Sequence, residues 1–100
     1  MYSVRLSEEF KDWLDALRDR RAQLRISARL RTVEAGSLGD WKPVGDAVSE
    51  MRVDIGAGYR LYFTRRGRVV IVMLAGGDKS TQKRDIERAH RMARALELQS

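Results

Sequence analysis

Charged or polar side chains alternate with apolar ones on two neighbouring stretches of the chain that read as β-strands. Glu50 and Arg52 fall on one face of the first stretch, and Arg60 and Tyr62 on one face of the second. If the two strands form a hairpin, these four side chains share one solvent-facing surface. Arginine forks match phosphate geometry, so these cations suggest work on phosphate-bearing substrates. The alternative is a set of cross-strand ion pairs on a solvated sheet face.

A glycine-rich corner follows the last apolar stretch at Gly76-Gly77. We predict a turn there that leads into a helix, whose first N–H groups point outward. Lys79, Ser80 and Thr81 would then add donors to a bound phosphate. The spacing of a P-loop is absent. The alternative is a plain strand-to-helix turn in which Ser80 or Thr81 caps the helix.

Two further features bear on function. His90 is the single histidine of the chain, and its unperturbed pKa lies near neutrality, although a surface or hydrogen-bonded histidine is the simpler interpretation. Arg21, Arg25 and Arg29 recur every fourth residue and form a cationic ridge on one predicted helix. The ridge is either a solvated helix face or a docking surface for RNA or an acidic partner.

Composition narrows the classes of function. One hundred residues predict a single domain over 1–100, and 43% hydrophobic residues are typical of a globular protein. The absence of cysteine excludes disulfides, thiolate zinc and Cys nucleophiles, and one histidine disfavours a metal site. We therefore expect no metal and no cofactor. A net charge of +6 favours nucleic acid or an acidic protein partner. With no membrane-length apolar run and no signal sequence, we expect a cytoplasmic location and no membrane partner.

Periodicity predicts the order α-α-β-β-β-β-α and thus an α+β fold. Apolar residues at helical spacing predict two N-terminal helices, and another such pattern predicts a C-terminal helix from Ser80 or Thr81 to about Leu98. The predicted N-terminal helices cover 7–20 and 22–34, and the predicted strands cover 41–44, 47–55, 59–64 and 69–75. Two N-terminal helices are thus expected to pack on a mainly antiparallel four-stranded sheet.

Three motifs at this spacing resemble a known family over nearly the whole chain. They are GDWKPVG at 39–45, GAGYRLYF at 56–63 and GGDKSTQ at 76–82. Together they resemble the addiction-module killer proteins of the HigB-like, Gp49-like branch of the RelE/ParE toxin superfamily. The resemblance implies a RelE-like fold, in which two N-terminal helices pack on a curved antiparallel sheet that is completed by a C-terminal helix.

The resemblance also implies an activity and partners. It implies the toxin of a type II toxin–antitoxin module, neutralised by a helix-turn-helix, HigA-like antitoxin. The family's usual activity is metal-independent cleavage of mRNA on the ribosome, in which the 2′-hydroxyl attacks the adjacent phosphate and leaves a 2′,3′-cyclic phosphate. Such chemistry needs a proton acceptor, a proton donor and cations for the developing phosphorane charge.

The resemblance also implies roles for individual residues, which are assigned by their positions in the shared motifs. Arg60 matches the arginine of the GYR motif that contacts the scissile phosphate, Arg52 the strand cation, and Lys79 the cation after the last strand. Glu50 lies where a general base is sometimes found, and His90 is a fallback acid because Asp85 stands where RelE has a catalytic tyrosine. The side chains assigned to RNA contact are Arg21, Arg25, Arg29, Ser80, Thr81 and Lys83.

Two other functions are compatible with the same resemblance. ParE toxins act on DNA gyrase without cleaving RNA, and they generally lack the cationic cluster that Arg52, Arg60 and Lys79 would form. A non-toxic member would only bind its antitoxin.

Overall fold

The computed structural model describes residues 1–99, so Ser100, the last residue of the predicted domain, lies outside the described part. Its elements are β1 (Ser3–Leu6), α1 (Glu8–Asp15), α2 (Arg20–Glu34), β2 (Trp41–Gly45), β3 (Val48–Val53), β4 (Tyr59–Arg66), β5 (Val70–Asp78), a 3₁₀ turn (Lys79–Thr81) and α3 (Gln82–Leu98). The α+β class is confirmed.

The sheet differs from the predicted one in strand number and in direction. It has five strands in the order β1-β5-β4-β3-β2. Neighbours from β2 to β5 are antiparallel, whereas β1 pairs in parallel with β5. The four predicted strands are β2 to β5, which pair antiparallel, but the prediction of a four-stranded sheet was wrong, because a four-residue strand before Ser7 carries too little pattern to be detected.

Local sequence explains where the N-terminal helices begin and end. The Ser7 hydroxyl accepts a hydrogen bond from the N–H of Phe10 at 3.0 Å and caps α1. The Asp19 carboxylate caps α2 in the same way, through the N–H of Ala22 at 3.1 Å. Gly36, with φ of 108°, follows the end of α2 in the left-handed conformation that glycine adopts most easily.

Two apolar layers cover opposite faces of the sheet. One layer joins α1 and α2 to alternate residues of the central strands, including Phe10, Ile26, Met51 and Leu61. The other lies under α3, whose Ala89 and Ala93 pack with the sheet residues Val48, Tyr62, Leu74 and Ala75. The sheet is therefore sandwiched between the N-terminal helices and α3. Within residues 1–99, no helix is long and apolar enough to cross a membrane.

Candidate active site

The register of β3 and β4 brings the four predicted side chains together. Glu50 lies opposite Tyr62, and Arg52 lies opposite Arg60. We predicted that this face is open to solvent, but it is covered, because the apolar positions of α3 pack against it. Glu50 and Tyr62 have no exposed surface, and Arg52 is the most exposed of the four side chains.

The Glu50 carboxylate lies at the centre of this set. Its Oε1 atom is 3.7 Å from Nε of Arg52 and 3.7 Å from Nε of Arg60. Its Oε2 atom accepts a hydrogen bond from Nε2 of Gln82, the first residue of α3, at 2.8 Å. One buried carboxylate thus faces two arginines, whose side chains are 40% (Arg52) and 10% (Arg60) exposed.

Tyr62 completes the buried part of the site. Burial, followed by the charge of the neighbouring Glu50, raises the pKa of the Tyr62 hydroxyl well above its usual range. The phenol is therefore neutral at physiological pH. Its hydroxyl, Oε1 of Glu50 and Nε of Arg60 are all buried without a hydrogen bond of good geometry.

Lys79 lies near Arg60, beside the turn that connects β3 to β4. Gly58 has φ of 76°, and a Cβ placed on it would lie 3.7 Å from a terminal nitrogen of Arg60 and 3.9 Å from Cβ of Lys79. Arg60 also pairs across the sheet with Gly77, two residues before Lys79. Arg52, Arg60 and Lys79 therefore lie at the same end of the sheet, and Lys79 is exposed.

The two glycines of the GGDK motif continue β5 and do not form the predicted turn. Gly76 pairs with Leu61 and Gly77 with Arg60. A Cβ on Gly76 would enter the indole ring of Trp13, and one on Gly77 would collide with the Asp85 carboxylate. The glycines therefore allow α1 and α3 to approach the sheet closely from opposite faces.

A buried acid that the sequence left without a role organises the start of α3. Asp85 is 2% exposed and accepts a hydrogen bond from the Thr81 hydroxyl at 2.5 Å. Arg88 lies 3.3 Å from Asp85 and 3.4 Å from Glu9 of α1. The sequence marked Asp85 only by its position in place of a catalytic tyrosine, because its contact with Gly77 depends on the sheet register.

The two hydroxyls predicted to bind phosphate are engaged within the turn itself. The Thr81 hydroxyl donates to Asp85, and the Ser80 hydroxyl donates to Asp78 at 2.5 Å. The N–H of Ser80 donates to the same Asp78 carboxylate, and these bonds, led by that from the Ser80 hydroxyl, lower the pKa of Asp78. Lys79 and Lys83 remain exposed and form no ion pair within residues 1–99.

Comparison with known proteins identifies the family. A family model described as phage-derived protein Gp49-like (DUF891) matches residues 12–97. The chain belongs to the Gp49-like family. A protein of Haemophilus influenzae, described as uncharacterized, is 40% identical over 95 residues, which cover 95% of this chain and 96% of that protein.

His90 of this Gp49-like chain contacts the β2–β3 turn. Its Nε2 lies 2.9 Å from the carbonyl oxygen of Val44 and must donate the hydrogen, since a carbonyl only accepts. Its Nδ1 lies 3.5 Å from the Asp46 carboxylate. The polar contacts of His90 are thus with β2 and the adjoining turn, and none is with the Glu50 cluster.

Of the three arginines predicted to form a ridge on α2, two are exposed and the third is hydrogen-bonded to the backbone. Arg21 and Arg25 are exposed. The Arg29 guanidinium donates to the carbonyl oxygens of Arg52 at 2.8 Å, Leu38 at 2.9 Å and Asp40 at 2.9 Å. Burial lowers the pKa of Arg29, partly offset by the charge of Asp40. Arg29 therefore fastens the loop before β2 to the end of β3.

Metal-binding geometry is not present in the part of the Gp49-like chain that the structure describes. Across residues 1–99, no three His, Cys, Asp or Glu side chains are grouped so that they could hold a metal ion. The acidic side chains at the candidate site face arginines and hydroxyls: Glu50 faces Arg52 and Arg60, and Asp85 faces Thr81 and Arg88.

Proposed function

We propose that this Gp49-like protein is the toxin of a type II toxin–antitoxin module and cleaves mRNA on the ribosome, as a HigB-like member of the RelE/ParE superfamily. Family membership and the motifs around Arg60 and Lys79 support the toxin assignment. The observation that carries the nuclease proposal is the convergence of Arg52, Arg60 and Lys79 at one end of the sheet.

In this proposal the three cations stabilise the charge that develops on the scissile phosphate. The 2′-oxygen forms a bond to phosphorus while the bond from phosphorus to the 5′-oxygen breaks, which leaves a 2′,3′-cyclic phosphate and a 5′-hydroxyl. Arg60 is held by strand pairing and by Glu50, so its guanidinium needs little reorganisation during the reaction. Preorganised charge of this kind is usually the largest single contribution to catalysis.

Glu50 acts in this mechanism by positioning the arginines and not as the proton acceptor. Its carboxylate has no exposed surface and is already shared between two arginines and Gln82. A general base must come within hydrogen-bond distance of the proton that it removes. We therefore assign the transfer of the 2′-hydroxyl proton, and protonation of the 5′-oxygen, to solvent water at the exposed edge of the site.

The test is cleavage of a defined mRNA on purified ribosomes, with mapping of new 3′ ends. We expect discrete cuts with the wild-type chain and at least ~10²-fold slower cutting with Lys79→Ala or Arg60→Ala. Lys79 is exposed, so its variant tests the cluster without disturbing the buried pair. Arg68→Ala is the matched control, because it removes one exposed arginine from the β4–β5 turn, at the other end of β4.

The outcome separates the candidate functions. Cutting that persists in both cluster variants would overturn the assigned roles. Intact mRNA together with gyrase-linked DNA damage would assign the chain to the ParE-like class, and a harmless chain would leave antitoxin binding as its function. The proposal also predicts that a co-expressed helix-turn-helix, HigA-like antitoxin abolishes toxicity in the cytoplasm, where ribosomes and mRNA are found.

A further inference from the structure

The proposed site is built from two parts of the chain, and a side-chain hydrogen bond at Glu50 connects them. Strands β3 and β4 carry Arg52 and Arg60, whereas Lys79 lies in the 3₁₀ turn that leads into α3. Gln82 is the first residue of α3 and follows that turn directly. Its side-chain amide donates to Glu50 Oε2 at 2.8 Å, so it ties the beginning of α3 to the carboxylate between the two arginines.

We propose that Gln82 is a positioning residue of this site, which orients the Glu50 carboxylate and thereby fixes Arg60 relative to Lys79. This inference rests on the proposed function for its effect on cleavage, although the positioning itself is a property of the fold.

The geometry gives Gln82 control over which carboxylate oxygen faces the arginines. The last torsion of a glutamate side chain is broad, so packing alone sets the plane of the carboxylate poorly. The bond from Gln82 engages Oε2 and leaves Oε1 3.7 Å from each arginine Nε. Without that bond the carboxylate can turn, and the arginines lose their fixed counter-ion.

The chemical type of the residue matters as much as its position. A carboxamide donates a hydrogen bond without adding charge, so one carboxylate remains to balance two arginines and the site keeps a positive charge. A lysine would compete with the arginines for Glu50. A glutamate would place a second carboxylate against the first, where the two repel each other, and would cancel the positive charge that one carboxylate and two arginines leave.

The cleavage test uses two substitutions at Gln82, each with a matched control. Gln82→Leu removes the donor at similar volume, and we expect about 10²-fold slower cutting with unchanged ribosome binding. Gln82→Glu keeps the size of the side chain but replaces the donor with a second carboxylate, and we expect it to slow cutting at least as much as Gln82→Leu. Gln23 makes a similar bond to the Leu14 carbonyl at 2.9 Å, so Gln23→Leu and Gln23→Glu serve as controls and should cut at the wild-type rate.

A second readout separates failure of this inference from failure of the proposed function. In ¹⁵N-labelled protein, the Nε–H resonances of Arg52 and Arg60 should shift and broaden in Gln82→Leu but not in Gln23→Leu. Resonances that do not move, or a Gln82→Glu variant that cuts as fast as the wild type, would overturn the inference. If the wild type cuts no mRNA while the resonances move, the positioning holds and the nuclease assignment fails. Gln82→Glu, which keeps the size and polarity of the side chain, keeps the test decisive if Gln82→Leu does not fold.

Discussion

Arg60 Nε lies 3.7 Å from Oε1 of Glu50 on the adjacent strand, and each of the two side chains is at least nine-tenths buried. The second arginine of the set, Arg52, faces the same oxygen but is 40% exposed. The two ion pairs therefore have equal length and different surroundings. Breaking a buried pair leaves an uncompensated charge away from water, whereas an exposed arginine is solvated when its partner is lost.

This difference predicts unequal effects on stability. Glu50→Ala should lower the free energy of unfolding by about 3–5 kcal/mol, because it strands the buried Arg60 guanidinium. Arg52→Ala should cost about 0–1 kcal/mol. The double variant Glu50→Leu/Arg60→Leu should recover much of the loss, since apolar replacement of a buried pair is often nearly neutral. Urea denaturation measures all three, and equal losses for Glu50→Ala and Arg52→Ala would contradict the buried-pair interpretation.

We expect that Arg29 contributes mainly to the stability of the fold and less to RNA binding. Its guanidinium donates to three backbone carbonyls, and hydrogen bonds from a charged donor contribute about 1.5–3 kcal/mol each. Arg29→Ala should therefore lower the melting temperature clearly, and Arg29→Lys should not restore it, because lysine lacks the planar fork. Arg25→Ala, one turn earlier and exposed, is the control and should leave the melting temperature unchanged while weakening RNA binding at low salt. Equal melting temperatures for the Arg29 and Arg25 variants would reject the structural role.

The sequence was sufficient for features that depend on local pattern and not for those that depend on distant contacts. Alternation along residues 47–55 predicted that Glu50 and Arg52 share one face, and Met51 and Val53 lie in the apolar layer on the opposite face. The cap at Ser7 and the glycine after α2 are local features of the same kind. These features are set by neighbouring residues, so a window of a few positions contains the information.

Three features depended on contacts far along the chain. Strand β1 forms only because it pairs with β5, almost seventy residues later, as in the pairing of Ser3 with Val70. The face with Glu50 is buried because α3 folds back over it. Gly76-Gly77 looks like a turn in sequence, yet it pairs with β4 as part of β5, and the glycines are needed because Trp13 and Asp85 occupy the space that side chains would take.

Gly77 should therefore be among the least replaceable positions of the site. Gly77→Ala places a methyl group against Asp85 and 2.9 Å from the Thr81 hydroxyl, so the start of α3 must shift away from Arg60. We expect a loss of about 1–3 kcal/mol in the free energy of unfolding. In the Asp85→Ala background the same substitution should lower the free energy of unfolding by less, because the effects of substituting two residues in contact are not additive. Chemical denaturation of the four proteins of this cycle measures the coupling, and additive losses would mean that the two residues do not meet.

The final prediction concerns the turn that joins β2 to β3. Asp46 and Ala47 have φ of 50° and 62°, the left-handed geometry of a tight hairpin turn. From α3, Arg94 donates to the Asp46 carboxylate at 2.9 Å, and this bond is the main reason that the pKa of Asp46 is lowered. His90 contributes less to that shift, although it also faces Asp46.

The lowered pKa of Asp46 determines the pH range in which its bond with Arg94 stabilises the fold. The stabilisation is fully present above the ordinary aspartate pKa of about 3.9 and is lost as the pH falls through the lowered value. The melting temperature of Arg94→Ala should therefore lie below that of the wild type at neutral pH, and the gap should close below about pH 4. Arg91→Ala, exposed on the same helix and without an ion pair in the described residues, should show no such gap. A gap that persists in strong acid would mean that Arg94 stabilises the chain through packing and not through the Asp46 carboxylate.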